Sequence, residues 1–192
     1  QINIELTQAC DKFTLCAFCG HQDPQIHALA KYKPMPFDLL VKIRNQLPPG
    51  IIVQFHRDGE PTAYRYLKGA LELFDKQITS IVTHGENLVR KAGEIIGNCD
   101  TVTVSMFKGD PDGQMQYDIV KQFLQLKGNK RPRVNVKVVG ELPIDRDVYA
   151  LGVPVIRRVL HVPTGDTKYA TRNPTMPEAG NCLEFLSQPS LD

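Results

Sequence analysis

Three of the chain's five cysteines, Cys10, Cys16 and Cys19, fall in a single C-x5-C-x2-C run near the N-terminus. Three thiolates on one loop can hold three irons of a cubane [4Fe-4S] cluster and leave the fourth iron open for a small molecule to chelate. The run admits two other readings. With His21 as a fourth ligand it makes a closed Cys3His zinc site. Cys16 with Cys19 alone makes a CxxC redox pair, which leaves Cys10 without a role. A secreted disulfide scaffold would spread an even set of cysteines along the chain, so reduced, metal-ligating thiols fit better.

A second chemically suggestive string is Asp58-Gly59-Glu60-Pro61. Gly59 lets backbone come close to a ligand, Glu60 can accept a charge-assisted hydrogen bond from an ammonium, and Pro61 stiffens the turn. By itself such a string is an ordinary surface turn, and its place downstream of a three-cysteine loop is what gives it weight. Later in the chain, His84 reads equally well as a satisfied core histidine or as part of a Thr83-His84-Gly85 site. Arg157 and Arg158 read first as an exposed edge pair, or else offer a guanidinium to a substrate carboxylate or phosphate, and only one of two adjacent strand residues can face inward. Cys99 reads as a small buried residue away from the site. Cys182 reads either as a lone thiol or as the first ligand of a further metal site.

The elements that must position these residues alternate regularly. Ile2, Ile4 and Leu6 alternate with Asn3 and Glu5 as in a strand, and the cysteine loop opens directly after it. A helix is expected from Asp38 as N-cap, with Leu39, Leu40, Ile43 and Leu47 on one face, until Pro48-Pro49-Gly50 stops it. Residues 51–55 read as a second strand, followed by a helix buried through Leu67, Ala70, Leu71 and Phe74. Residues 80–83 begin a third unit whose helix carries Leu88, Ala92, Ile95 and Ile96. Residues 101–105 begin a fourth, with Ile119, Val120, Phe123 and Leu124 on its helix. Residues 133–139 form a fifth strand, and a short helix near 145–151 leads to a sixth strand at 154–160. Alternation without hairpin signals points to an α/β fold, a partial (β/α)6 barrel of parallel strands with outer helices. A doubly wound sheet is the alternative, since strand order is not written in one sequence. In either fold, ligands sit at the carboxyl ends of the strands, and every suggestive cluster here follows such an end.

Composition narrows the class of partner. With 192 residues, 23% of them charged and a formal net charge of +2, the chain fits one core and shows no basic stripe for nucleic acid. No apolar run approaches the ~20 residues of a membrane span, and no signal-peptide pattern opens the sequence, so a cytoplasmic location is expected.

With these motifs in view, the chain resembles the radical S-adenosylmethionine superfamily. The family's usual loop is C-x3-C-x2-C with an aromatic before the third cysteine, and Phe18 holds that place in Cys16-Ala17-Phe18-Cys19, the first gap being two residues longer. Residues 4–10 look like the first strand of peptide-modifying members. Asp58-Gly59-Glu60-Pro61 is similar to the family's Gly-Gly-Glu-Pro, which binds the methionine ammonium of the cofactor through backbone carbonyls and the Glu carboxylate. Thr83-His84-Gly85 stands where the family often has Thr-Asn-Gly.

The resemblance implies that Cys10, Cys16 and Cys19 ligate a [4Fe-4S] cluster. It implies that Phe18, Gly59, Glu60, Pro61, Thr83, Ser105 and Lys137 contact S-adenosylmethionine, Ser105 and Lys137 through its ribose and carboxylate. The implied reaction is reductive cleavage of the cofactor to a 5'-deoxyadenosyl radical that abstracts hydrogen from a peptide, protein or small-molecule substrate. An electron donor such as flavodoxin or ferredoxin is then needed. No side-chain catalytic base beyond the cluster ligands is implied.

Residues 1–162 are expected to form the core domain. Residues 163–192, rich in Pro, Gly and Asn, are expected to be a linker or lid, or the start of a truncated C-terminal auxiliary-cluster domain of the SPASM/Twitch kind. The native polypeptide is accordingly expected to continue past Asp192. The competing reading is a non-catalytic zinc module built on Cys10, Cys16, Cys19 and His21.

Overall fold

The computed structural model describes residues 1–12, 33–107, 112–139 and 146–158, with backbone alone for 146, 147 and 158. These residues belong to one unit, Gln1–Arg158. The expectations placed on Cys16, Phe18, Cys19, His21, Cys182 and the 163–192 segment lie outside the described residues.

Six strands follow one another in space as they do in sequence: β1 (Ile2–Ile4), β2 (Ile52–Phe55), β3 (Ile78–Thr83), β4 (Thr101–Phe107), β5 (Arg133–Val139) and β6 (Val155–Arg158). All five pairings are parallel. The helices are α1 (Phe37–Asn45), α2 (Leu67–Leu73), α3 (Ala92–Ile95), α4 (Gly113–Lys127) and α5 (Arg146–Ala150), and a 3-10 turn spans Pro61–Ala63. The order β1 to β6 never reverses, which excludes the doubly wound alternative. β1 and β6 remain edges, so the sheet is an open α/β sheet consistent with a partial barrel.

Register sorts the strand residues into two faces. One row runs Ile4, Phe55, Ile81, Val102 and Val134, all buried, and the next runs Thr83, Val104, Val136 and Val155. This is the core face, against which Leu67, Ala70, Leu71, Val120 and Phe123 pack. On the opposite face one row runs Asn3, Gln54, Ser80, Thr101 and Arg133, and Ser105 pairs with Lys137. A mostly polar row on the inner face of a partial barrel suits a ligand better than a dry core.

Two helices differ from the sequence expectation. Asp38 is not the N-cap of α1. Pro36 holds that position in extended conformation without a side-chain cap, and Asp38 lies in the first turn, where its charge complements the helix dipole. With that start Leu39 is 44% exposed, while Leu40 is fully buried and Ile43 and Leu47 pack against the core. The third helix shrinks to four residues, since Gly93 weakens it and Gly97, at φ +87°, ends it. Leu88, Ala92, Ile95 and Ile96 nonetheless all reach the core. Among the described residues, no helix is long and apolar enough to cross a membrane.

Candidate functional site

The carboxyl ends of β1, β2 and β3 deliver three short segments to one place, and Glu60 joins them. Its backbone N–H donates to the carbonyl of Ala9 at 2.8 Å, tying the loop after β2 to the residue before Cys10. Its side chain, 2% exposed, caps the 3-10 turn that Pro61 opens. Oε1 accepts from Thr62 N at 2.9 Å, Thr62 Oγ1 at 2.6 Å and Thr83 Oγ1 at 2.7 Å. Oε2 accepts from His84 N at 3.0 Å and lies 3.3 Å from His84 Nε2. A carboxylate offers about four lone-pair positions, so this one is satisfied from within the protein.

His84 carries the network onward to the cysteine loop. Nε2 lies 2.6 Å from Asp11 Oδ1, and Asn87 Nδ2 donates to Asp11 Oδ2 at 3.0 Å and to Thr62 Oγ1 at 3.2 Å. Burial works against a charge on the His84 ring. Its hydrogen bonds to Asp11 and Cys10 and the nearby Glu60 and Asp11 carboxylates outweigh burial, and push its pKa up to about 10. The contact that opposes a second ring proton is Glu86 N–H, which aims at Nδ1 from 3.3 Å. The hydrogen bond from His84 holds the Asp11 carboxyl below the usual carboxylate range.

Neighbouring residues fix this arrangement. Lys12 is 1% exposed and pairs with Glu86 at 3.4 Å and Asp112 at 3.7 Å, fastening the residues just after Cys10 to the segments after β3 and before α4. Gln116, buried on α4, donates from Nε2 to the carbonyls of His84 and, at 2.7 Å, Ser105. Glu5 Oε1 accepts from the backbone N–H groups of Asp58 and Gly59 at 3.1 and 3.3 Å. Gly59 is needed here for a different reason from the expected one. A Cβ on it would stand 1.8 Å from the Thr7 carbonyl oxygen, so the backbone that approaches it closely is the chain's own.

Of the residues singled out from the sequence, Cys10, Gly59, Glu60, Pro61 and Thr83 come together at this mouth. Ser105 and Lys137 sit side by side on β4 and β5, on the opposite face from Thr83. Arg157 is exposed and pairs in register with Val138. Cys99 is fully buried before β4. Asp11, Lys12, Thr62, Asn87 and Gln116 escaped the sequence reading. Gln116 left a signal, being the one polar residue at i, i+4, i+7 spacing with Val120 and Phe123 on the buried stripe of α4.

The fold and site define an open, all-parallel α/β sheet with a buried, hydrogen-bonded polar cluster at the carboxyl ends of β1, β2 and β3. No protein-family model matches the chain, and no curated protein matches it. Among solved structures the crystal structure of archaeal TYW1 is similar at 18% identity and a TM-score of 0.39, over 52% of this chain and 37% of that one.

Proposed function

We propose that this chain is a radical S-adenosylmethionine domain whose site lies at the carboxyl ends of β1, β2 and β3. The observation that supports it most is that its three sequence signatures are joined around one residue, Glu60, through its backbone N–H and its buried carboxylate. Cys10 opens the cysteine run, Glu60 belongs to the Asp58-Gly59-Glu60-Pro61 string, and Thr83 and His84 follow β3. All three are knit through Glu60 and His84. Unrelated surface turns have no reason to be joined in this way.

This reading requires two groups, an iron–sulfur cluster and S-adenosylmethionine. The half-buried Cys10 is a soft donor suited to iron and sulfide, and it stands at the mouth of the site. In the proposal it holds a cluster together with Cys16 and Cys19, and Ser105 and Lys137 contact the cofactor from the polar face. Glu60 departs from the family pattern, because its carboxylate is already saturated by internal donors. Its part here is to hold the loops in place, and a ligand ammonium reaches it only by displacing the His84 ring from Oε2. When bound, the cluster and cofactor supply one-electron reductive cleavage of a carbon–sulfur bond and hydrogen abstraction from a substrate. The protein's own groups orient the cysteine loop through Lys12 and keep water from Glu60. A peptide or small molecule as substrate, and a flavodoxin or ferredoxin as electron donor, belong to the same proposal.

Anaerobic reconstitution with iron and sulfide tests it. The chain should turn brown, with visible absorbance that dithionite bleaches. Cys10→Ala, Cys16→Ala and Cys19→Ala should each lose most of the iron, and Cys99→Ala should keep it. A colourless chain, or equal iron loss from Cys99→Ala, overturns the assignment.

A further inference from the structure

Cys10, Asp11 and His84 bring a thiol sulfur, a carboxylate oxygen and an imidazole nitrogen to within 4.8 Å of one another. The three donors come from two segments, the end of β1 and the end of β3, so only the folded sheet assembles them. They differ in kind, one soft, one hard and one borderline. That mixture suits a cation of zinc's class, and three protein ligands with a fourth position left for solvent is the arrangement of an open zinc site. The surroundings hold the donors in place. Asn87 Nδ2 binds Asp11 Oδ2 at 3.0 Å, which leaves Oδ1 turned toward His84 at 2.6 Å. Such orienting bonds to a ligating carboxylate commonly accompany metal sites.

We infer that Cys10, Asp11 and His84 form a site for one divalent cation of zinc's class, a donor set distinct from the Cys10, Cys16, Cys19 and His21 set that the sequence suggests. In the present arrangement protons join the three donors. The cation takes their place, the thiol proton and the proton between His84 Nε2 and Asp11 Oδ1 both leave to solvent, and thiolate and carboxylate together balance its two positive charges. Bonding through Nε2 puts the ring proton on Nδ1, so the weak Glu86 N–H contact at 3.3 Å turns aside. Since Cys10 has one sulfur to give, a cation here and a cluster on the cysteine run exclude each other. The site itself does not depend on the iron–sulfur reading.

The test uses the full chain, stripped of metal under anaerobic conditions and given one equivalent of zinc. X-ray absorption at the zinc edge should find one sulfur, the remaining ligands being nitrogen and oxygen. Two or more sulfurs, or no stoichiometric binding, overturns the inference without relying on any variant folding. Cobalt titration then adds the variants. Asp11→Asn and His84→Ala should each weaken binding at least tenfold, and the double variant Cys16→Ala/Cys19→Ala should bind as the parent does. Loss of binding in that double variant assigns the metal to the cysteine run and refutes the site. Iron uptake is measured separately, so a chain that takes zinc on one sulfur yet builds no cluster refutes the proposed function alone.

Discussion

Glu60 places a carboxylate at 2% exposure, and the cost of burying it is met by four hydrogen bonds from Thr62, Thr83 and His84. Its removal leaves those donors facing an empty space. Glu60→Ala is expected to lower stability by ~3–5 kcal/mol, the range seen when one partner of a buried charged network is deleted. Glu60→Gln, which keeps one carbonyl acceptor, should lose less. Urea unfolding of the two variants measures both, and a Glu60→Ala chain as stable as the parent would falsify the role of hub. The sequence pointed to Glu60 through its string but not to the partners that saturate it. Asp11, Thr62 and Asn87 are common polar residues whose meaning is set by what lies across the sheet from them.

The loops at the site are held by backbone as much as by side chains. Residues 58 and 59 donate to Glu5, residue 60 donates to Ala9, and Gly59 presses on Thr7. A methyl group at position 59 has no flexible neighbour to push aside, since its nearest atoms are backbone. Gly59→Ala should therefore destabilise by about 1–3 kcal/mol, as overpacking usually does, and should loosen the cysteine loop with it. Gly93→Ala is the matched control. Nothing lies within 4 Å of its Cβ, and alanine favours the helix, so stability should hold or rise by up to ~1 kcal/mol. Thermal melts of the pair give the comparison, and equal melting temperatures would remove the steric argument.

At the scale of the molecule, the sequential strand order puts the ends of β1, β2 and β3 side by side at one rim of the sheet. Cys99 lies before β4 and is fully buried, so burial pushes its thiol from 9.0 up to about 12. The folded chain keeps a proton that the unfolded chain releases. The stability this represents is whole below pH 9.0 and is lost as pH rises toward 12, by up to about 1.4 kcal/mol per pH unit. Unfolding free energies measured from pH 8 to pH 11 should fall more steeply in the parent than in Cys99→Ala. Parallel slopes would show that this thiol titrates alike in both states.

What the sequence determined by itself was local. Alternating apolar residues in β1 and β5, the stripe of Leu67, Ala70, Leu71 and Phe74, and the run of Cys10, Cys16 and Cys19 are all written in short-range spacing, which a chain displays before it folds. Boundaries set by a single competing residue were less legible, as where Pro36 took the cap from Asp38 and Gly97 cut α3 short. Tertiary structure alone decided the rest. Strand order, the saturation of Glu60, the pairing of Ser105 with Lys137 and the meeting of Cys10, Asp11 and His84 join residues far apart in the chain. No local pattern encodes such contacts, because they form only when the sheet lays β3 two strands from β1 and turns both carboxyl ends to the same rim.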